Sequence, residues 1–176
     1  MGITMEMYAA DQEEFVSIQQ RLASELTSEE EIQHLFNQLA DYPQAKFSLH
    51  LHWPEDIDAL CQALIAEGLA VPSCAIDLLV EQLWFDGISA WVHRLSQELP
   101  LALAQSTEGT IKSIAERWVK SYILDPSAHT MYFTIAYDAA VKALSDLRQI
   151  SQDALARSKP LLFYLQWKGS HASYTA

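Results

Sequence analysis

Apolar residues recur at intervals of three and four over most of this chain, and this spacing constrains the fold more than any other feature. Such intervals are typical of amphipathic helices. Helix-start signals precede two of the stripes, since Asp11 with Glu14 and Ser28 with Glu31 have the spacing of a capping box. The first two stripes are Phe15, Ile18, Leu22 and Leu26, then Ile32, Leu35, Phe36 and Leu39. Only five Gly and six Pro in 176 residues argue against a loop-rich all-β fold.

Three short segments have strand-like patterns instead. Residues 3–8 and 47–53 alternate in polarity, and the third segment is residues 161–167. The last is a nearly continuous apolar run, which predicts a central strand covered on both faces. We therefore predict an α+β fold, a helix-rich single globular domain over residues 1–176. It would have about three strands (3–8, 47–53 and 161–167) and six to seven helices.

Three stretches decide the details of this prediction. Residues 73–95 carry apolar side chains at helical spacing, so we predict helix there, broken or bent at Asp86-Gly87. Residues 101–110 are predicted as a connection of weak helical character. Residues 130–137 alternate like a strand, yet they continue into a long apolar stripe that favours one helix ending before Pro160. The choice between strand and helix at 130–137 stays open.

The charges of the chain are distributed unevenly. Residues 1–100 hold seventeen acidic residues and only three basic ones (Arg21, Lys46 and Arg94), hence −14, whereas the remaining residues hold six acids and eight bases, hence +2. Five of the acids lie at predicted helix N-termini, where the helix dipole favours them: Glu14, Glu31, Glu55, Asp56 and Asp58. The acids that still need an explanation are Asp77, Glu81 and Asp86, beside an aromatic segment.

The net charge of −12 disfavours nucleic-acid binding, because that binding depends on neutralising phosphates. The first fifteen residues lack the basic and apolar regions of a secretory signal, and no run approaches the ~20 apolar residues of a membrane span. Cys61 and Cys74 form no metal motif, and the five glycines form no phosphate loop. We expect a cytoplasmic protein without a cofactor.

Four groups of residues were considered as sites. His50 and His52 would lie on one face of the strand 47–53 and could share a metal ion, but two ligands are a weak motif. Asp77 and Glu81 would share a helical face, and Asp86 could pair with His93. The aromatic residues Trp84, Phe85, Trp91 and Trp118 could line a pocket, although core packing is favoured. None of these groups justifies assigning a catalytic, cofactor-binding or metal-binding residue.

Three places resemble the YfbM-like family of bacterial proteins of unknown function (DUF1877 type). They are the opening Met1-Gly2-Ile3, the segment 51–68 that runs from Leu-His-Trp to a glycine, and the helix-strand ending over 133–167. The resemblance implies an α+β domain and supplies no catalytic residues.

Two classes of function follow from these observations. The first is a non-enzymatic interaction or regulatory domain whose acidic N-terminal surface binds a basic protein partner, for example an immunity-type inhibitor of a cationic toxin. The alternative is a metal-dependent or acid/base enzyme that uses His50 and His52 with nearby carboxylates. Homodimerisation through the aromatic segment 83–95 is a third hypothesis.

Overall fold

A computed structural model describes residues 2–24, 26–47, 54–123 and 136–168. The fold is α+β. In chain order the elements are β1 (Gly2–Ala9), α1 (Gln12–Leu22), α2 (Glu29–Asp41), β2 (Gln44–Phe47), α3 (Glu55–Ala66), α4 (Ala75–Leu78), β3 (Leu79–Phe85), β4 (Ala90–Leu95), α5 (Glu98–Ala104), α6 (Glu108–Ile123), α7 (Tyr137–Ala156) and β5 (Leu161–Lys168).

The five strands form one antiparallel sheet in the order β2-β1-β5-β4-β3. The middle strand is β5, the last along the chain, which pairs over its whole length with β1, the first. The prediction of a central strand at 161–167 is confirmed, because Phe163 belongs to the core on one face of β5 and Leu162 to the core on the other.

Successive strand residues point to opposite faces, so the sheet separates two cores. On one face, Met5, Met7 and Phe163 pack into the larger core, which is built mainly with α3, α5, α6 and α7. The most buried aromatic residue there is Trp118 of α6, whose indole N–H donates a hydrogen bond to the backbone oxygen of Asp56 at 2.9 Å. On the other face, α1 and α2 cover a smaller core.

The helix ends follow the local signals in the sequence. The Asp11 carboxylate accepts hydrogen bonds from the backbone N–H groups of Glu13 and Glu14, and the Ser28 hydroxyl accepts one from Glu31. Gly68 follows α3 with a φ of 80°, the left-handed conformation that glycine adopts without a steric penalty. The caps at Asp11 and Ser28 confirm the predicted starts of α1 and α2.

The predicted strand count of three is wrong, because residues 79–95 form the β3–β4 hairpin and not a helix. An apolar run of this kind is compatible with either a helix or a hairpin. The hairpin forms because the backbone of β5 pairs with β4 from Ala90 to Arg94. Only residues 75–78 of that stretch are helical. The predicted connection 101–110 is also more ordered than expected, since it contains the end of α5 and the start of α6.

Two predictions fall partly outside the described residues. Of the predicted strand 47–53, Phe47 ends β2 and residues 48–53 are not described. The long helix predicted in the C-terminal part is present as α7, and Tyr137 is its first residue. The choice between strand and helix at 130–135 lies outside the described residues.

Candidate functional site

A cleft opens on the sheet face that carries α1 and α2. The strand register places four side chains in a row across this face: Glu6 on β1 pairs with Tyr164 on β5, which pairs with Val92 on β4, which pairs with Trp84 on β3. Val92 is completely buried, whereas Glu6, Tyr164 and Trp84 are half-buried. The helices therefore cover only part of this row, and the rest lines a cleft of about 480 Å³.

We call this volume the sheet-face cleft. Its floor is polar and aromatic and comes from the sheet, while its wall is mainly apolar and comes from α1 and α2. The floor residues are Glu6, Tyr8, Gln44, Trp84, Asp86, Ala90, Tyr164 and Gln166; the wall residues are Gln19, Leu22, Ala23, Ile32, Phe36, Leu39 and Ala40. A volume of this size is within the range of small-ligand pockets, about 300–1,000 Å³.

Two acids line the sheet-face cleft. They are Glu6 and Asp86, and the described lining contains no lysine, arginine or histidine, although Lys46 of β2 is paired with Glu6 in the strand register. Burial raises the pKa of Tyr164 to about 12, and the charges of Glu6 and Asp86 add to the rise. Burial also raises the pKa of Tyr8, together with the hydrogen bond that its hydroxyl donates to Glu6. Both hydroxyls are therefore neutral donors at pH 7.

Asp86 holds its negative charge through the loop that follows β3. Its Oδ1 accepts backbone N–H groups from Ile88, Ser89 and Ala90 at 2.7, 2.7 and 3.0 Å. Burial of the carboxyl opposes ionisation, but these hydrogen bonds outweigh it, and the pKa of Asp86 lies below its usual range. One side of the cleft thus carries a fixed anion.

Gln19 is the buried polar residue of the wall. Its side chain is only 5 % exposed and lines the cleft. Gln19 therefore places one amide group in an otherwise apolar wall.

The helices beside the cleft are acidic as well. Residues 11–24 and 26–41 contain one base, Arg21, which is ion-paired with Glu31. The acids of these two ranges are Asp11, Glu13, Glu14, Glu29, Glu30, Glu31 and Asp41, and Asp11 is paired with Lys159. The uneven charge of the sequence thus includes a layer of acids that covers one face of the sheet.

The acids singled out in the sequence do not converge as predicted. Asp77 and Glu81 do not share a helical face, because Asp77 lies in the one-turn helix α4 and Glu81 on the edge strand β3. Glu81 is ion-paired with Arg94 of β4 at 2.9 Å. Asp86 accepts hydrogen bonds within the hairpin loop, so both Glu81 and Asp86 make structural contacts. Of these two acids, only Asp86 lines the cleft.

The pairing of Asp86 with His93 is also wrong. His93 lies on β4 opposite Phe163, on the face of the larger core, while Asp86 reaches the cleft on the other face. Burial lowers the pKa of His93, and its Nδ1 has no hydrogen-bond partner in the described part of the chain. His93 therefore contributes nothing to the cleft.

The four aromatic residues do not form one stripe. Trp118 packs in the larger core, as the core interpretation predicted. Phe85 and Trp91 stack on each other in the hairpin, with ring centroids 5.0 Å apart. Of the four, only Trp84 lines the cleft.

His50 and His52 lie outside the described residues, so the metal hypothesis stays a prediction. Within the described ranges, no three His, Cys, Asp or Glu side chains form a group that could hold a metal ion. Elemental analysis of the purified protein tests the hypothesis directly, since direct ligation would retain a stoichiometric metal.

The main residues of the cleft were not identified from the sequence. The alternation of residues 3–8 places Glu6 and Tyr8 on one side of β1, but nothing local indicates that Tyr164 and Gln166 lie beside them. The available signal was alternation in β5, where Tyr164 and Gln166 interrupt an apolar run at every second position.

Comparison with known proteins gives no relative from which to take a function. The chain matches no family model, no curated protein and no solved structure. The resemblance to the YfbM-like family therefore stays a prediction. Among the helices described, none is both long and apolar enough to span a lipid bilayer.

Proposed function

We propose that this protein is an interaction domain that binds a basic protein partner on the sheet face covered by α1 and α2. The main support for this proposal is that the cleft and the helices beside it both have acids on this face of the sheet. In the described residues of both, the single base is the paired Arg21. Inhibition of a cationic toxin is one form of such binding, and a cytoplasmic location belongs to the same proposal.

Electrostatic complementarity favours a basic partner for this acidic surface. Opposite charges speed association and disfavour wrong partners, and exposed charges lose this effect as salt screens them. The exposed acids Glu13, Glu29 and Glu30 make no ion pair within the described residues, so a partner's lysines and arginines could approach them without displacing an existing base.

The test compares two triple variants of equal charge. One is Glu13→Gln with Glu29→Gln and Glu30→Gln on the proposed face; the control is Glu55→Gln with Glu98→Gln and Asp138→Asn on α3, α5 and α7. All six acids are exposed and lie in the first turn of a helix, so the loss of helix-dipole stabilisation is matched.

The wild-type protein should retain basic proteins from a cell lysate and release them as salt rises. The proposed-face triple should weaken that retention about 10-fold or more at low ionic strength, and the control triple by less than about 3-fold. Equal losses from both triples, or retained proteins that are acidic or insensitive to salt, would contradict the proposal.

A further inference from the structure

Two hydrogen bonds hold the segment before α4 against the side of α3. The backbone N–H of Ala75 donates to Oδ1 of Asp58 at 2.6 Å, and Nε2 of Gln62 donates to the backbone oxygen of Ser73 at 2.8 Å. Asp58 and Gln62 are one helical turn apart, so they are neighbours along one face of α3. The segment 73–75 therefore runs beside this face, in the direction opposite to the helix.

The two cysteines of the chain lie between these two hydrogen bonds. Cys61 follows Asp58 by nearly one turn of α3, and Cys74 is the middle residue of the segment. The backbone of Cys74 is extended, with φ −147° and ψ 164°. An extended residue allows the carbonyl of Ser73 and the N–H of Ala75 to point to the same side, here toward α3. Cys61 and Cys74 are therefore neighbours across this contact.

The environments of the two thiols differ. Cys61 is completely buried, and burial raises its pKa to about 12, with smaller contributions from the charge of Asp58 and from Cys74. The contribution from Cys74 agrees with a short separation, since electrostatic interactions weaken with distance. Cys74 is partly exposed, and both cysteines are free thiols. A small oxidant in solution therefore reaches Cys74 first.

We propose that Cys61 and Cys74 form a reversible disulfide when a small-molecule disulfide, such as oxidised glutathione, is present. The Cys74 thiolate attacks one sulfur of the oxidant and displaces a thiolate, which leaves a mixed disulfide. The Cys61 thiolate then attacks the Cys74 sulfur and displaces the second small thiolate. The protein loses two protons and two electrons, and the oxidant is reduced to two thiols. This inference does not depend on the proposed function.

The disulfide would add a covalent bond where two hydrogen bonds hold the segment 73–75. A cross-link that closes a loop of about 15 residues stabilises a protein chiefly by restricting its unfolded chain. Because α4 and β3 follow Cys74 directly, the bond would also fix the start of the β3–β4 hairpin. Oxidation should therefore make the folded protein more stable.

The test measures the effective concentration of the two thiols, which is the equilibrium constant for their exchange with glutathione. The full chain is equilibrated with mixtures of reduced and oxidised glutathione, and the remaining thiols are alkylated. Mass spectrometry counts the chains that have lost two hydrogens, and peptide mapping identifies the link between Cys61 and Cys74. The same measurement in concentrated urea gives the value for the unfolded chain.

The effective concentration should be at least about 10-fold higher in the folded protein than in urea, because the fold holds the thiols together. A 10-fold ratio corresponds to about 1.4 kcal/mol of added stability. The oxidised protein should therefore have a Tm roughly 3–6 °C above that of the reduced protein.

Matched variants test the contact that aligns the thiols. Gln62→Ala removes the hydrogen bond to Ser73, whereas Gln33→Ala removes a comparable bond from Nε2 of Gln33 to Asn37 on α2. Both glutamines are exposed. Gln62→Ala should lower the effective concentration in the folded protein about 3-fold or more, and the control by less than about 1.5-fold.

Three results overturn the inference. One is an effective concentration in the folded protein that is equal to or below the value in urea, since the fold would then hold the thiols apart. Another is a Tm that stays the same or falls on oxidation. The third is an equal effect of Gln62→Ala and Gln33→Ala.

Discussion

The loop between β3 and β4 depends on one carboxylate, and that dependence gives a quantitative prediction. Asp86 accepts three backbone N–H groups on Oδ1, and its Oδ2 accepts the Ser89 hydroxyl at 3.2 Å. Its own N–H donates to the backbone oxygen of Ala90 at 3.1 Å. Asp86→Ala removes all the side-chain bonds, whereas Asp86→Asn keeps one acceptor oxygen and replaces the charge and the second oxygen with a neutral NH2 group.

The expected loss of unfolding free energy follows from the number of hydrogen bonds removed and from their exposure to water. Three backbone bonds at about 1 kcal/mol each set an upper range near 3 kcal/mol, and partial access of water to the loop lowers it. We expect Asp86→Ala to lose about 2–3 kcal/mol of unfolding free energy and Asp86→Asn about 1 kcal/mol. At about 2–4 °C per kcal/mol for a chain of this length, Tm should fall by roughly 4–12 °C and 2–4 °C.

The pH dependence has a definite sign. Because the folded pKa of Asp86 is lowered, its stabilisation is fully present above the unfolded pKa of about 3.9 and is lost as pH falls through the lower folded value. Urea unfolding followed by circular dichroism at pH 7 and at decreasing pH measures the difference between the wild type and each variant. That difference should shrink in acid.

The reasoning about Asp86 would be refuted by three results. One is a loss of unfolding free energy below about 0.5 kcal/mol for Asp86→Ala at pH 7, since the loss of three hydrogen bonds in a half-buried loop should cost more than this. Another is an equal loss for both variants, because the asparagine retains an acceptor. The third is a difference that grows as the pH falls.

Three further predictions concern other parts of the fold. Trp118→Phe should lose about 1–3 kcal/mol in urea unfolding, because it removes a buried indole hydrogen bond and part of a core side chain; no loss would contradict the packing of α6 on α3. Gly68→Ala, at a φ of 80°, should destabilise by about 1 kcal/mol, whereas Gly109→Ala, within α6 and without a close contact, should stabilise by up to about 1 kcal/mol, as thermal unfolding would show. The buried Cys61, whose pKa is raised to about 12 chiefly by burial, should react with a thiol reagent at pH 8 far more slowly than the partly exposed Cys74, and equal rates would contradict this burial.

Prediction from the sequence succeeded where the cause was local. The caps at Asp11 and Ser28 follow from hydrogen bonds within a few residues, and the structure has both. The α+β class was predicted correctly too, because helical spacing dominates the chain while short strand-like segments occur at its two ends and near residue 50.

Prediction from the sequence failed where residues far apart in the chain determine the local structure. Residues 79–95 have apolar spacing that fits a helix, and they form a hairpin because β5, far along the chain, supplies backbone partners for β4. The pairs proposed from spacing, Asp77 with Glu81 and Asp86 with His93, were lost with that helix, since a strand turns alternate side chains to opposite faces.

The sequence by itself determined the helix-rich α+β class, the principal helix caps and the excess of acids in the first 100 residues. Only the tertiary structure decided that part of this charge lies on one face of a sheet, around a cleft. Glu6 and Tyr164 become neighbours through the pairing of the first and last strands, and Trp84 joins them through β4. Cross-strand neighbours are set by register between distant segments, which no local pattern specifies.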